Sequence, residues 1–331
     1  MPKAFVTGAA GFLGTNIIKE LLEQNWEVTA FHLPIDDLTN LSSLNISLAE
    51  GNILDYQSIL EAIPDDKEYI IFHIAGDTSM WEKHADRQFK INVTGTANVA
   101  AAALERGVKK LVFTSSISAY GYHSKRIDEE TPSNALTCKM NYNKTKYLAE
   151  KEIQKAVRKG LNAVILNPCN MMGPFDTKGW SALIMSVINN NVPAVTLGVG
   201  TFAHVRDVAR AHIKAAESGR TGENYLIGGV EIVFRDIYRE INRLLGKNMN
   251  LRTVPGPVFR IAMYMIRLKA FLKREEPVLT YSRFKRLTGN IVCNDAKARN
   301  ELSFKTTGIE DMLNDSYHWL QNEGLLKKEN Q

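Results

Sequence analysis

Tyr142 and Lys146 stand four residues apart in Asn141-Tyr142-Asn143-Lys144-Thr145-Lys146. In an α-helix that spacing puts both side chains on one face. An ammonium beside a phenol stabilises the tyrosinate and lowers a pKa that starts near ~10. A proton donor poised nearer neutrality suits a reaction in which hydride attacks a carbonyl and the oxygen takes a proton. Hydroxyl residues also end an apolar run, Leu111-Val112-Phe113-Thr114-Ser115-Ser116-Ile117-Ser118. A serine at the end of a buried strand can hydrogen-bond an oxygen that gains charge. It can equally do no more than satisfy the backbone, a role open to Ser115 and Ser118.

These groups act together only if the fold brings them to one edge. Strand-like runs read at Ala4–Thr7, Glu27–Phe31, Ser47–Gly51, Tyr69–Ile74, Lys110–Ser115 and Asn162–Asn167. Helix-period segments lie between them at Phe12–Glu23, Gln57–Ile63, Phe89–Arg106 and Tyr142–Lys159. That alternation predicts an α/β fold, a Rossmann-type doubly wound parallel sheet, with ligands at the carboxyl ends of its strands. Beyond it the pattern changes. Gly173-Pro174 and Gly198-Val199-Gly200 read as loops, and a strand at Glu223–Ile227 mixes with helices at Asp207–Ser218, Phe234–Leu245 and Ile309–Gln321. We expect a dinucleotide-binding domain over 1–170 and a smaller, mostly C-terminal α+β substrate domain over 171–326. Residues 201–218 would return to the first domain, and Lys327–Gln331 would form a frayed end.

Thr7-Gly8-Ala9-Ala10-Gly11-Phe12-Leu13-Gly14 joins the first strand to the first helix. Gly8 permits the tight turn, Gly11 lets a backbone approach a pyrophosphate, and Gly14 allows close helix–strand contact. The helix N-terminus adds free N–H groups and a positive dipole end. The second strand ends Thr29-Ala30-Phe31-His32-Leu33-Pro34, without the acidic residue that binds a ribose 2′-hydroxyl. That tilts the cofactor slightly toward NADP over NAD, with His32 either facing the 2′-phosphate or a bystander; Asp36 and Asp37 pull the other way.

The 331 residues hold 44% apolar and 23% charged residues, the balance of an ordinary globular protein. A net charge of +5, spread along the chain, is no footprint for nucleic acid. Cys138, Cys169 and Cys293 are odd in number and lack metal-ligand spacing, which fits a reducing compartment and no metal. With no export signal or apolar span of ~20 residues, the expected location is the cytoplasm.

With His73-Ile74-Ala75-Gly76 added, four motifs stand in the order and spacing of the short-chain dehydrogenase/reductase superfamily. The chain resembles the extended branch, and within it the dihydroflavonol reductase-like group. Asn92-Val93-Thr94-Gly95-Thr96, Asn167-Pro168 and Gly173-Pro174 are further landmarks. The resemblance implies a catalytic triad of Ser116, Tyr142 and Lys146. It places Gly8, Ala10, Gly11, Phe12, Leu13 and Gly14 at the pyrophosphate, and Asn52 and Ile53 beside the adenine, although the family commonly has Asp at the first. Ala75, Gly76, Thr114, Asn167 and Pro168 would line the rest of the cofactor. A homodimer through the helices Phe89–Arg106 and Tyr142–Lys159 is also implied.

Nucleotide-sugar epimerases and dehydratases of this branch carry an arginine before a His-Val-x-Asp-Val segment, where it grips a diphosphate. Here Gly200-Thr201-Phe202-Ala203-His204-Val205-Arg206-Asp207-Val208 puts Gly200 at that place, and Arg206 reads as the start of a helix. The expected substrate wall is apolar, with Met80, Trp81, Met171, Met172, Phe175 and Trp180, and polar contacts from Ser118 and Tyr120. We therefore expect an NAD(P)H-dependent reductase of a small apolar ketone or aldehyde. The alternatives are a nucleotide-sugar epimerase, a steroid-type dehydrogenase and a dinucleotide sensor. In 258–274, Ile261, Met265, Leu268 and Leu272 form an apolar helical stripe with arginines on other faces. It can pack on its own domain, cap the pocket, pair with a second subunit or rest on an anionic membrane.

Overall fold

The computed structural model describes residues 1–192, 195–273, 277 and 279–326. The expected loose end Lys327–Gln331 and Arg274 lie outside the described residues. Elements follow in the order β1 (Lys3–Thr7), α1 (Phe12–Glu23), β2 (Glu27–His32), β3 (Ser47–Glu50), α2 (Tyr56–Ala62) and β4 (Tyr69–His73). Next come α3 (Ala85–Phe89), α4 (Thr96–Arg106), β5 (Lys110–Thr114), α5 (Asn141–Arg158), β6 (Ala163–Pro168) and β7 (Asn170–Met172). Then α6 (Ala182–Ile188), β8 (Val199–His204), α7 (Val205–Ser218), β9 (Asn224–Ile227), β10 (Val230–Val233) and α8 (Phe234–Leu244). Last are α9 (Gly256–Lys273), α10 (Tyr281–Thr288), β11 (Asn290–Ile291), α11 (Ala296–Leu302) and α12 (Ile309–Asn322).

Seven strands form one parallel sheet in the order β3-β2-β1-β4-β5-β6-β9. The inner strands β4, β5 and β6 are short and wholly buried because helices cover both faces, which is why they read as continuous apolar runs; the edge strand β3 is mostly exposed. One core, with Ile17, Ile18 and Val208, lies on one face; another, with Val99, Ala103 and Ile153, lies on the other. The order in which successive strands are added reverses between β1 and β4, so their carboxyl ends, Thr7 and His73, flank the switch point where such sheets bind ligands.

β8 starts at Val199, where the glycines read as a loop. It pairs with β10, β7 and β11 in a second, four-stranded sheet. Glycine lowered the strand signal, yet Gly200 is what this strand needs. A Cβ there would meet the Phe202 ring at 2.7 Å and the Phe234 ring at 3.2 Å. The helix expected over Phe89–Arg106 is likewise interrupted by a π-helical turn, Lys90–Gly95, which buries Asn92. Such turns often mark functional positions.

Candidate active site

The glycine cradle is built by close approach. Gly8 has φ +68°, and a Cβ on it would lie 2.7 Å from the Ala75 amide nitrogen. A Cβ on Gly14 would lie 2.1 Å from the Gly8 carbonyl oxygen. Neither position admits a side chain, so loop and strand ends meet backbone to backbone. Gly11 caps α1 without a side chain, leaving the first-turn N–H groups with no side-chain acceptor. That is the arrangement an anionic phosphate completes, and the residues present fit a dinucleotide. Thr7 Oγ1 accepts from the Ile74 and Ala75 amides at 3.2 and 3.3 Å, fixing the Ala75-Gly76 edge beside the cradle. His73 clips the same edge: Nδ1 is 2.8 Å from Thr7 Oγ1 and Nε2 is 3.0 Å from Thr96 Oγ1. Burial, with Lys146 nearby, holds its pKa down at about 3, so the ring is neutral.

Tyr142 and Lys146 are both buried on α5, and Ser116 follows the carboxyl end of β5. Lys146 Nζ donates to the Thr114 carbonyl at 2.9 Å and lies 5.4 Å from the centre of the Phe113 ring. Burial brings its pKa down to about 8. The expected depression of the tyrosine pKa by Lys146 is not what the geometry gives. Burial raises the Tyr142 pKa; the hydrogen bond from Ser116 and the charge of Arg286 oppose that rise. Asn92 binds the opposite wall, accepting from the Asp77 amide at 2.7 Å and donating to Thr145 Oγ1 at 3.1 Å.

Two residues at this edge went unread in the sequence. Arg286 comes from α10, and its guanidinium is buried enough that its own pKa falls, with Tyr142 and Tyr122 as its opposing neighbours. Among the described residues it has no hydrogen-bond or ion-pair partner. Glu150 lies two turns beyond Tyr142 on α5 and accepts from Ser115 Oγ at 2.5 Å and Asn167 Nδ2 at 2.6 Å. Asn167 Nδ2 also donates to the Ser116 carbonyl at 3.1 Å. Glu150 is therefore a positioning group beneath the serine. Burial raises its pKa, against those hydrogen bonds and Lys146. A helical spacing of i, i+4, i+8 from Tyr142 was the available signal for it; nothing local announces Arg286.

The remaining expected positions divide. Pro168 ends β6 beside Ile227 of β9, close to the site. Thr114 spends its hydroxyl on His212 Nε2 at 2.9 Å and offers the site its carbonyl. His32 is buried at the end of β2 with Nδ1 2.9 Å from the Leu33 carbonyl, so that nitrogen is used locally. Asn52 folds back to accept from the Leu54 amide, and Ile53 packs beneath Gly95. Met80, Trp81, Met171 and Ser118 are half-buried. Met172 and Tyr120 are buried in apolar cores, and Trp180 stacks on Phe234 at 5.5 Å. Phe175 packs between Trp319 and Lys19. Met172 and Tyr120 spend their surface in those cores, whereas Phe175 and Trp180 stay half-buried. The site of the missing arginine is filled the same way, by Phe202 and Phe234.

A parallel sheet with a glycine cradle at its switch point and a Tyr-Lys helix beside it defines an NAD-dependent oxidoreductase-like enzyme. The chain belongs to the NAD dependent epimerase/dehydratase family, whose model matches residues 4–228, and is an extended short-chain dehydrogenase/reductase. It is 30% identical to a putative dihydroflavonol 4-reductase of Synechocystis sp., over 98% of this chain and 96% of that one. A UDP-glucose 4-epimerase of Bacillus subtilis is 26% identical over 95% of both chains. The crystal structure of gox2253 superposes with a TM-score of 0.86 at 30% identity, covering 99% of this chain and 100% of that one.

Proposed function

We propose that the protein reduces the carbonyl group of a small apolar ketone or aldehyde. The observation that carries this reading is the convergence of Ser116, Tyr142 and Lys146 at the cradle edge, with position 200 closed by aromatic packing. Gly8, Gly11 and the open end of α1 would hold the pyrophosphate of the dinucleotide, and Lys146 the nicotinamide ribose. Bound nicotinamide dinucleotide supplies the hydride.

The chain's own residues handle the proton. Burial keeps Tyr142 protonated at neutral pH, as a general acid for carbonyl reduction must be. Ser116 orients the carbonyl oxygen and donates to it as charge develops. When Tyr142 gives up its proton, the charge of the Arg286 guanidinium stabilises the tyrosinate left behind. Glu150 holds Ser115 and Asn167, and through them the backbone of Ser116.

For the cofactor, the turn after β2 carries Asp36 and Asp37, Glu50 pairs with His32 from the neighbouring strand, and residues 32–37 contain no Lys or Arg. A 2′-phosphate would meet only like charge there, which moves the preference from NADP to NAD. The test is a thermal-shift series with NAD, NADH, NADP, NADPH and nucleotide sugars, since a ligand of the native state raises Tm. Stabilisation by NADH without response to nucleotide sugars is expected. A further rise when a nucleotide sugar is added to NAD would instead make this an epimerase.

A further inference from the structure

Helix α9 carries apolar side chains on two faces. Phe259, Met263 and Ala270 are buried, and the first two join Leu279 and Phe284 in a small cluster of their own. On the opposite face Val258, Ile261, Met265, Leu268 and Leu272 are 54%, 62%, 68%, 61% and 74% exposed. Their spacing draws one stripe along the full helix, and Tyr264 widens it at 59% exposure. Isolated exposed apolar residues are ordinary; a continuous stripe of this length marks an interaction surface.

The charges on this helix decide what kind of partner fits. α9 contains no Asp or Glu; Lys269 is exposed beside the stripe, and Arg260, also exposed, lies on its other side with its guanidinium 5.9 Å from the centre of the Phe284 ring. A second copy would bring the same cations to the contact and no acid to meet them, so self-pairing sets like charge against like. An anionic bilayer offers acyl chains for the stripe and negative headgroups for its flanks. Among the described residues no helix is long and apolar enough to cross a membrane, so the contact would lie in the interface plane.

We infer that α9 docks the protein on an anionic lipid surface through the Val258–Leu272 stripe and its flanking cations. The helix is anchored to elements that border the active site. Phe259 stacks on Phe284 of α10 at 5.6 Å, two residues from Arg286, and Arg267 lies 3.6 Å from Glu82, beside Trp81.

The test is flotation of the full-length protein with phosphatidylglycerol–phosphatidylcholine vesicles, against phosphatidylcholine alone, without substrate or cofactor. Its outcome is thus independent of the carbonyl-reductase reading. Binding to the anionic vesicles is expected, with little to the neutral ones. Met265→Glu/Leu268→Glu should weaken it by at least about tenfold. Arg260→Gln and Lys269→Gln should each weaken it about fivefold, and added salt should act in the same direction. All four positions are exposed, and unchanged Tm of each variant without lipid confirms folding. No binding to anionic vesicles, or undiminished binding by the double variant, would overturn the inference. So would a lipid-free dimer that the double variant converts to monomer in sedimentation velocity, which assigns the stripe to a second copy.

Discussion

α5 and α9 are both 18 residues long, and they break the apolar-in, polar-out pattern in opposite directions. α5 turns Tyr142, Lys146 and Glu150 toward the sheet edge, where burial shifts the pKa of each. Carbonyls, hydroxyls and amides of β5 and β6 receive the charged pair. α9 turns an apolar stripe outward, with no protein surface against it among the described residues. Such departures cost stability, so they persist where something other than stability is served. Inward polarity on α5 arms a reaction, whereas outward apolarity on α9 prepares a contact.

The largest expected effect probes the buried polar edge by pH. An unfolded imidazole gains a proton as pH falls through ~6.5, whereas native His73 stays neutral down to about 3. Stability is therefore full above ~6.5 and declines with falling pH across that window, by up to about 5 kcal/mol at ~1.4 kcal/mol per unit. Denaturant titrations at about pH 7 and about pH 4.5 sample about 3 kcal/mol of that decline. His73→Asn should lessen it without abolishing it, because native His212 is also held neutral, down to about 4. An unchanged slope in that variant would remove His73 from the account.

Next in size is the contrast between the two helices. Glu150→Ala strands the Ser115 hydroxyl and one N–H of the Asn167 amide, and should cost about 2–4 kcal/mol in denaturant titration. Leu268→Gln on α9 should change stability by no more than about 0.5 kcal/mol. Equal losses at the two positions would dissolve the distinction drawn between them. Smaller again than the Glu150 loss is Gly200→Arg, which should destabilise by about 1–3 kcal/mol through collision with Phe202 and Phe234. It should confer no thermal response to UDP-glucose; a gained response would show the clamp position open.

Much of the α5 side was legible in the residues. Short apolar runs alternating with period-3.6 segments located the parallel sheet, and the glycines of the cradle stand where backbone contacts leave no space for a Cβ. The Tyr142–Lys146 spacing declares one helix face, and Glu150 extends it. Other features depend on contacts distant in sequence. Arg286 meets Tyr142 only because α10 is brought over from the far end of the chain. Gly200 reads as a loop until Phe202 and Phe234 are seen to need its space. The direction of the α9 stripe was hidden for a different reason. With apolar residues on both faces, periodicity cannot say which one is buried.

The central claim is that Tyr142 delivers the proton in carbonyl reduction at the dinucleotide edge. Its most direct test is the rate of NADH and NADPH oxidation with a panel of apolar aldehydes and ketones, wild type against Tyr142→Phe. The account predicts that the variant keeps the thermal stabilisation by cofactor but loses about 10²–10⁴-fold in rate. Full activity in a cofactor-binding Tyr142→Phe protein would contradict it.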